Sequence, residues 1–398
     1  EEAGEIQQIL EHSGFYTIDA KINEVANGLG LAGIGLDKDV SDLSGGQRTK
    51  VLLTKLLLQD PSILLLDEPT NYLDREHIAW LTRYLQEYEN AFILISHDIP
   101  FLNSVINIIY HMNNQELKRY VGDYNNFLEV YEMQKAQQEA AYNKQQKEIA
   151  DLKDFVARNK ARVSTRNMAM SRQKKLDKMD IIELAGEKPK PVFNFLEAGI
   201  SGKVILEAKD LVIGYDSPLS KPMNLYMERG QKVVIEGANG IGKTTLLKSI
   251  MGLILPLSGE VRLGDSQELG YFEQEMSGNG NNTCINEIWE EFPGFSQYEV
   301  RSALSKCGLT TKHIESMVKV LSGGEQAKVR LCKLINRKSN ILVLDEPTNH
   351  LDMDAKEELK RALIAYKGSI IMVCHEPEFY EGLASDVWDL SKWTTKLL

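Results

Sequence analysis

The chain repeats itself at a fixed distance. Leu-Ser-Gly-Gly-Gln at Leu43–Gln47 returns as Leu-Ser-Gly-Gly-Glu at Leu321–Glu325. The run Leu-Leu-Leu-Asp-Glu-Pro-Thr-Asn ending at Asn71 returns as Leu-Val-Leu-Asp-Glu-Pro-Thr-Asn ending at Asn349. Ser96-His97-Asp98 returns as Cys374-His375-Glu376. The offset is 278 positions each time, as Ser44 and Ser322, Asp67 and Asp345, and His97 and His375 show. Ordered blocks at one offset are an internal duplication, so the chain must fold as two copies of one module plus whatever separates them.

Residues 1–121 read as a partial first module. Helices are expected over Val51–Gln59 and Arg75–Tyr88, and strands over Ile63–Leu66 and Phe92–Ile95. Residues 122–191 are rich in Gln, Lys, Glu and Ala, with Tyr131, Ile149, Leu152, Phe155 and Val156 at roughly helical spacing. A polar stretch, Asn159–Arg166, precedes a second helical run, Ser171–Leu184. This predicts a helical hairpin with a basic tip, closed by Gly186 and Pro189-Lys190-Pro191. Residues 192–398 read as a complete second module, opening with strand-like Val204–Leu206 and Leu211–Gly214.

The second module carries Gly237-Ala238-Asn239-Gly240-Ile241-Gly242-Lys243-Thr244, a full match to G-x-x-x-x-G-K-[ST]. It lies between a predicted strand, Lys232–Glu236, and a predicted helix, Thr245–Met251. In such a loop the glycines let backbone N–H groups close around phosphate oxygens at a helix N-terminus. Gly237, Asn239, Gly240, Gly242 and Thr245 belong to that cradle; Lys243 would reach the β- and γ-phosphates and Thr244 would ligate Mg²⁺. Ile341–Leu344 reads as a buried strand ending in Asp345-Glu346. There Asp345 is placed to hold Mg²⁺, and Glu346 to orient or deprotonate the attacking water. The duplication gives Asp67 and Glu68 the same roles.

A P-loop, a Leu-Ser-Gly-Gly-Gln/Glu signature, Asp-Glu-Pro-Thr-Asn-x-Leu-Asp and a following histidine together resemble ABC-type ATPases. Two such modules joined by a charged helical linker resemble the ABC-F family. Asp67–Asp74 and Asp345–Asp352 are especially close to that family's pattern. The resemblance implies α/β P-loop NTPase modules that bind ATP and Mg²⁺ and hydrolyse ATP. It implies that Tyr215 stacks on adenine and that Gln274 senses Mg²⁺ and the γ-phosphate. His97 and His375 would be switch histidines, and Asp74 and Asp352 would couple the two sites. The signature residues act in trans in such ATPases. Ser44, Gly45, Gly46 and Gln47 would cap ATP held by the second P-loop, and Ser322, Gly323 and Gly324 ATP held by the first.

No Gly-x-x-x-x-Gly-Lys occurs in residues 1–121. The P-loop glycine at 237 precedes the signature serine at 322, and the same spacing from Ser44 puts the first P-loop before residue 1. The expectation is therefore a fragment whose partner includes a missing N-terminal segment of the same protein, and which alone hydrolyses ATP poorly. Two departures stand out. Glu325 replaces the signature glutamine, and Glu376 replaces Asp98 while keeping a carboxylate.

The net charge of −11 argues against a surface that coats nucleic acid generally. Yet Gln134–Asp180 holds twelve Lys/Arg against six Asp/Glu, and Phe155–Leu176 has seven basic residues and no acidic one. A charge run can be a solvated helix face; asymmetry this sharp more often marks a polyanion contact. The resemblance implies a ribosome-acting protein whose linker hairpin approaches rRNA and the P-site tRNA. Lys160, Arg162, Arg166, Arg172, Lys174 and Lys175 would contact phosphates there. Some members of the family protect ribosomes from antibiotics. No run approaches the roughly 18 apolar residues of a membrane span. The four cysteines form no C-x-x-C pair, and a cytoplasmic protein is the simplest reading. An ATP-binding subunit of a membrane transporter is the alternative, disfavoured by the basic hairpin. A non-catalytic ATP-dependent scaffold is disfavoured by intact Glu68, Glu346 and both histidines.

Overall fold

The computed structural model describes residues 17–31, 38–43, 45–71, 73–113, 116–159, 164–180, 190–273 and 280–395. Ser44, Lys160, Arg162 and Gln274 lie outside the described residues. The chain forms two compact units, Glu1–His97 with Lys188–Leu398, and Asp98–Glu187.

In the first unit, the second copy is built on a five-stranded parallel sheet. Its order is Asp386–Asp389, Lys232–Glu236, Ser369–Val373, Ile341–Asp345, Leu269–Phe272. Every residue of Ile341–Asp345 and Ser369–Val373 is buried, as expected for parallel strands covered on both faces. Side chains alternate between two cores. Val234, Leu342, Leu344, Ile370, Met372 and Phe272 face the helical side. Val233, Ile235, Ile341, Val343, Ile371 and Val373 pack with the helix Lys243–Ile250 and an antiparallel sheet of Met223–Glu228, Val204–Val212 and Ser258–Leu263. The two strands expected over Val204–Leu206 and Leu211–Gly214 are one strand, Val204–Val212. Its register shifts between Ala208 and Leu211, where Asp210 takes φ +47°. A bulge lets one strand carry a turn-like Lys-Asp pair.

The first copy reproduces the central pair. Ile63–Asp67 runs parallel to Ala91–Ile95, in a register that matches Ile341–Asp345 on Ser369–Val373 residue for residue. The helix Arg75–Gln86 falls close to expectation, whereas Gly45–Leu58 begins six residues before the expected Val51. Burial differs. Leu64 and Leu66 are buried, but Ile63, Leu65, Ile93 and Ile95 are each more than half exposed. Their counterparts Ile341, Val343, Ile371 and Val373 are inside a core.

The second unit starts at Asp98 and so includes the strand pair Ile108–Asn113 and Glu116–Val121 as well as the helices. The helix Tyr124–Asn159 buries Phe127 near its start and Ile149, Leu152 and Val156 near its end. The last three share one helical face and meet the helix Arg166–Asp177, which buries Ala169. Phe127 packs in an aromatic group with His111, Tyr120, Tyr124 and Tyr131.

Candidate functional site

The P-loop joins the strand Lys232–Glu236 to the helix Lys243–Ile250. Gly237 and Gly242 take φ of +143° and +107°, and a Cβ on Gly237 would collide with Ile241. Only glycine suits such positions. Lys243 is buried, and its Nζ donates to the carbonyls of Gly237 at 2.9 Å and Ala238 at 3.0 Å and to Asn239 Oδ1 at 3.3 Å. Burial pushes its pKa down to about 8, against the pull of Glu346, Asp345 and Asp74. The ammonium thus rests on carbonyls that a phosphate would outcompete, since charge-assisted bonds are the stronger ones. Tyr215 is 59 % exposed, with its hydroxyl 3.5 Å from Thr245 Oγ1.

Asp345 ends its strand at 0 % exposure. Both carboxylate oxygens are buried and make no hydrogen bond of ordinary geometry. Burial pushes its pKa up to about 6, the Glu346 charge adds to this, and the Thr244 hydroxyl, Lys243 and Lys248 pull it back. A buried carboxylate with no partner is costly unless a cation joins it. Asp345 with Thr244 therefore fits a hard divalent cation of the Mg²⁺ kind, which prefers oxygen ligands and keeps several waters.

Glu346 follows with φ +50°, and its N–H donates to the Val373 carbonyl at 3.1 Å. Its Oε1 lies 3.3 Å from His375 Nε2, and its Oε2 accepts from Asn349 Nδ2 at 2.6 Å. Burial alone would raise its pKa; the His375 bond and charge, Lys243 and Asn349 together hold it below the usual carboxylate range. An ionised carboxylate beside a phosphate cradle is equipped to orient or deprotonate water.

The first copy repeats this arrangement. Glu68 has φ +48° and lies 3.4 Å from His97 Nε2, and the His97 N–H donates to its Oε2 at 3.3 Å. The electrostatics differ. Burial raises the pKa of Glu68, and His97 and the charge of Lys356 only partly counter it. Asp67 is exposed, whereas Asp345 is fully buried.

Ser322 caps the helix Gly323–Asn336 in a reciprocal box. Its hydroxyl accepts from the Glu325 N–H, and Glu325 Oε2 accepts from the Ser322 N–H at 2.9 Å. The glutamine-to-glutamate change thus serves the cap. Glu325 also pairs with His313 at 3.3 Å. A Cβ on Gly323 or Gly324 would run into His350. In the first copy, Gly45, Gly46 and Gln47 open the helix Gly45–Leu58.

The copies touch through their Asp-Glu-Pro-Thr-Asn segments, where Asn71 Nδ2 and His350 Nδ1 lie 3.3 Å apart. Asp74 of the first copy is close enough to contribute to the field at Lys243 of the second. Asp74 and Asp352 each cap the helix that follows. Lys328 pairs with Asp352 at 2.6 Å, and Lys50 lies near Asp74. Sequence reading missed these two lysines, although both are buried and they stand 278 positions apart. It missed Asn349 as a support for Glu346. It also missed Lys356, which pairs with both oxygens of Glu376 at 2.9 Å. Glu376 thus keeps a carboxylate but not the role of Asp98, which caps its helix through the Phe101 N–H.

Among the candidate hairpin contacts, Arg172 stacks on Phe155, 3.6 Å from the ring centre, and Lys175 pairs with Glu148 at 2.6 Å. Both fasten one helix to the other. Arg166 opens the second helix, and Lys174 lies in its last turn.

A family model described as ABC transporter matches residues 3–71 and 220–349, and a second model with the same description matches residues 110–195. The chain is 72 % identical over 398 residues to the ABC transporter ATP-binding protein YfmM of Bacillus subtilis (strain 168), covering all of this chain and 77 % of that protein. It is 38 % identical to ABC transporter F family member 5 of Arabidopsis thaliana, covering 93 % of this chain and 54 % of that protein. A solved complex of archaeal ribosomal stalk protein aP1 with ribosome recycling factor aABCE1 superposes with a TM-score of 0.58 at 20 % identity, over 93 % of this chain and 65 % of that one. This last likeness is one of fold.

Proposed function

Because the chain belongs to the ABC transporter family, within its F branch of paired ATPase modules, we propose that it is the greater part of a Mg²⁺-dependent ATPase acting on the ribosome. The carrying observation is the cluster of Lys243, unpartnered Asp345 and the Glu346–His375 pair, repeated in outline at Asp67, Glu68 and His97. Lys243 would exchange its loop carbonyls for β- and γ-phosphate oxygens. Asp345 and Thr244 would hold Mg²⁺, which supplies charge to the phosphates when bound. Glu346, kept ionised, would take the proton of the attacking water, and His375 would hold that carboxylate in place. Tyr215 would stack on adenine and Gln274 would monitor the γ-phosphate. Ser44, Gly45, Gly46 and Gln47 would cap this ATP from the first copy, and Ser322, Gly323 and Gly324 would cap one bound by a first P-loop.

ATP held between two faces favours a closed arrangement, and hydrolysis releases it. The basic hairpin would be the part so moved. Arg166 and Lys174, with Lys160 and Arg162, would contact rRNA and tRNA phosphates without reading sequence. Among the described residues no helix is long and apolar enough to cross a membrane. On this reading residues 1–121 and 192–398 would belong to the two ATPase modules and 122–191 to the linker between them.

The test is ribosome co-sedimentation of the full-length protein carrying Glu68→Gln and Glu346→Gln. Losing the general base costs roughly 10²–10⁴ in rate, so ATP should trap the protein on ribosomes. Pelleting indifferent to ATP would sink the ribosome reading. Growth with and without ribosome-targeting drugs then separates a housekeeping role from antibiotic protection.

A further inference from the structure

One cation ties the signature helix to the strand that runs into the ATP site. Arg330 lies in the second turn of the helix Gly323–Asn336. Its Nη1 donates to the Glu273 carbonyl at 2.7 Å, and its guanidinium carbon stands 4.9 Å from the centre of the Phe272 ring. Phe272 is buried and ends the strand Leu269–Phe272. The register pairs Phe272 with Leu344, so the backbone leaving this strand passes level with Asp345. Gln274 is the next residue after Glu273. Among the described residues this strand is the sheet's edge, hydrogen-bonded on one side only. Arg330 supplies a hold from outside the ladder. A planar guanidinium fixed by a charge-assisted bond and an aromatic face is a directional clamp.

The same cation acts toward the other copy. His350 packs against the start of the helix that carries Arg330, at the position a Cβ on Gly323 would approach to 3.2 Å. Burial first, then the charges of Arg330 and His97, hold the His350 imidazole below its ordinary pKa. His350 in turn meets Asn71 of the first copy. Arg330 therefore stands between the strand exit at Asp345 and the contact joining the copies. The corresponding residue of the first copy is Leu52, 65 % exposed, which can neither donate nor carry charge.

We propose that Arg330 is a positioning residue that couples the signature helix to the metal end of the second copy's own ATP site, so that this site engages Mg²⁺·ATP fully only while the helix is seated. The proposal rests on the reading of that site as a Mg²⁺-dependent ATPase. A shift of the helix carries the Glu273 carbonyl with it, and the backbone leaving Phe272 shifts relative to the Asp345 end of the neighbouring strand. The first copy carries leucine at the corresponding position, and its described residues show no such clamp.

The test compares Arg330→Leu, which installs the first copy's residue, with Arg330→Lys in the full-length protein. A fluorescent ATP analogue reports affinity with and without Mg²⁺, turnover is followed against Mg²⁺ concentration, and melting temperature monitors the fold. Affinity without Mg²⁺ should be unchanged, because Lys243 and the P-loop glycines are untouched. The Mg²⁺ needed for half-maximal turnover, and for half the Mg²⁺-dependent gain in affinity, should rise about tenfold on losing one charge-assisted bond. Lysine should recover part of this, keeping the charge but not the fork. Parent-like Mg²⁺ dependence in Arg330→Leu would overturn the proposal. Equal weakening with and without Mg²⁺ would also overturn it, reducing Arg330 to packing. If Arg330→Leu does not fold, Arg330→Lys decides by the same Mg²⁺ readout. A parent protein that binds Mg²⁺·ATP without turning it over refutes the ATPase reading, while the affinity arm still decides Arg330.

Discussion

Removing the imidazole of His375 should move the acid limb of ATP turnover toward neutral pH. Burial drives the Glu346 carboxyl upward, and the His375 bond and charge, Lys243 and Asn349 reverse the direction. Glu68 serves as an internal control. It stands nearly as close to its histidine, 3.4 Å against 3.3 Å, yet its pKa is raised by burial. Lys243 contributes at Glu346, and among the described residues no P-loop lysine contributes at Glu68. Glu346 thus sits near a balance that the loss of one partner can tip. A hydrogen bond to a charged group is worth about 1.5–3 kcal/mol. At 3.3 Å the His375 contact belongs at or below the lower end of that range. Only the ionised carboxylate can accept a proton. Turnover is therefore lost as pH falls through its pKa, and raising that pKa moves the loss to higher pH. Single-turnover cleavage of ATP by full-length His375→Ala, followed across the acid and neutral range, should show the limb at higher pH than in the parent. The plateau should fall as well if the histidine also contacts the γ-phosphate, as a switch histidine would. A limb that stays in place or moves down refutes the claim that His375 sets the charge of Glu346, whatever the plateau does.

Asp345→Asn should stabilise the nucleotide-free protein and abolish Mg²⁺-supported turnover. The carboxyl rises from 3.8 to about 6, so the folded state binds a proton more readily than the unfolded one. The penalty is absent below the unfolded pKa and complete above the folded one, on the order of 2–3 kcal/mol at neutral pH. Calorimetry at neutral pH should therefore show a higher melting temperature, and an unchanged or lower one counts against the unpaired carboxylate. In the hairpin, Arg172→Ala should cost about 0.5–1 kcal/mol of thermal stability through its ring contact, whereas Lys174→Ala should leave the melt unchanged and lower the salt dependence of ribosome binding. Equal melts for both variants would contradict the assigned difference.

The repeat makes much of the site legible in the sequence itself. A fixed offset carries strand, glutamate and histidine together, because the pair must meet across adjacent parallel strands, and Asp67 and Asp345 end strands in the same register. Buried parallel strands read as unbroken apolar runs, so Ile341–Leu344 could hardly be anything else. The misses have a common cause. Arg330 and Lys356 correspond to Leu52 and Ile78, so the duplication gives them no echo, while Glu376 echoes the carboxylate of Asp98 but not its capping role. Their roles depend on which helix lies against which loop, and neither periodicity nor motif spacing encodes that. The positive φ of Glu68 and Glu346 is equally silent in sequence, since glutamate has no preference for that region. The single strand Val204–Val212 was hidden by a Lys-Asp pair that propensity assigns to a turn.

The order of the five-stranded sheet sets a timetable for synthesis. Lys232–Glu236, the strand that launches the P-loop, is flanked by Ser369–Val373 and Asp386–Asp389. Both neighbours come from the last thirty residues of the chain described here. A ribosome adding about 5–20 residues per second therefore leaves Val233, Val234 and Ile235 without flanking strands for roughly seven to thirty seconds. During that interval the glycine loop exists as sequence but has no sheet behind it to aim its N–H groups. The chain's ability to grip a nucleotide thus arrives late and all at once, after an interval in which the apolar run Val233–Ile235 is available to chaperones or to a neighbouring chain.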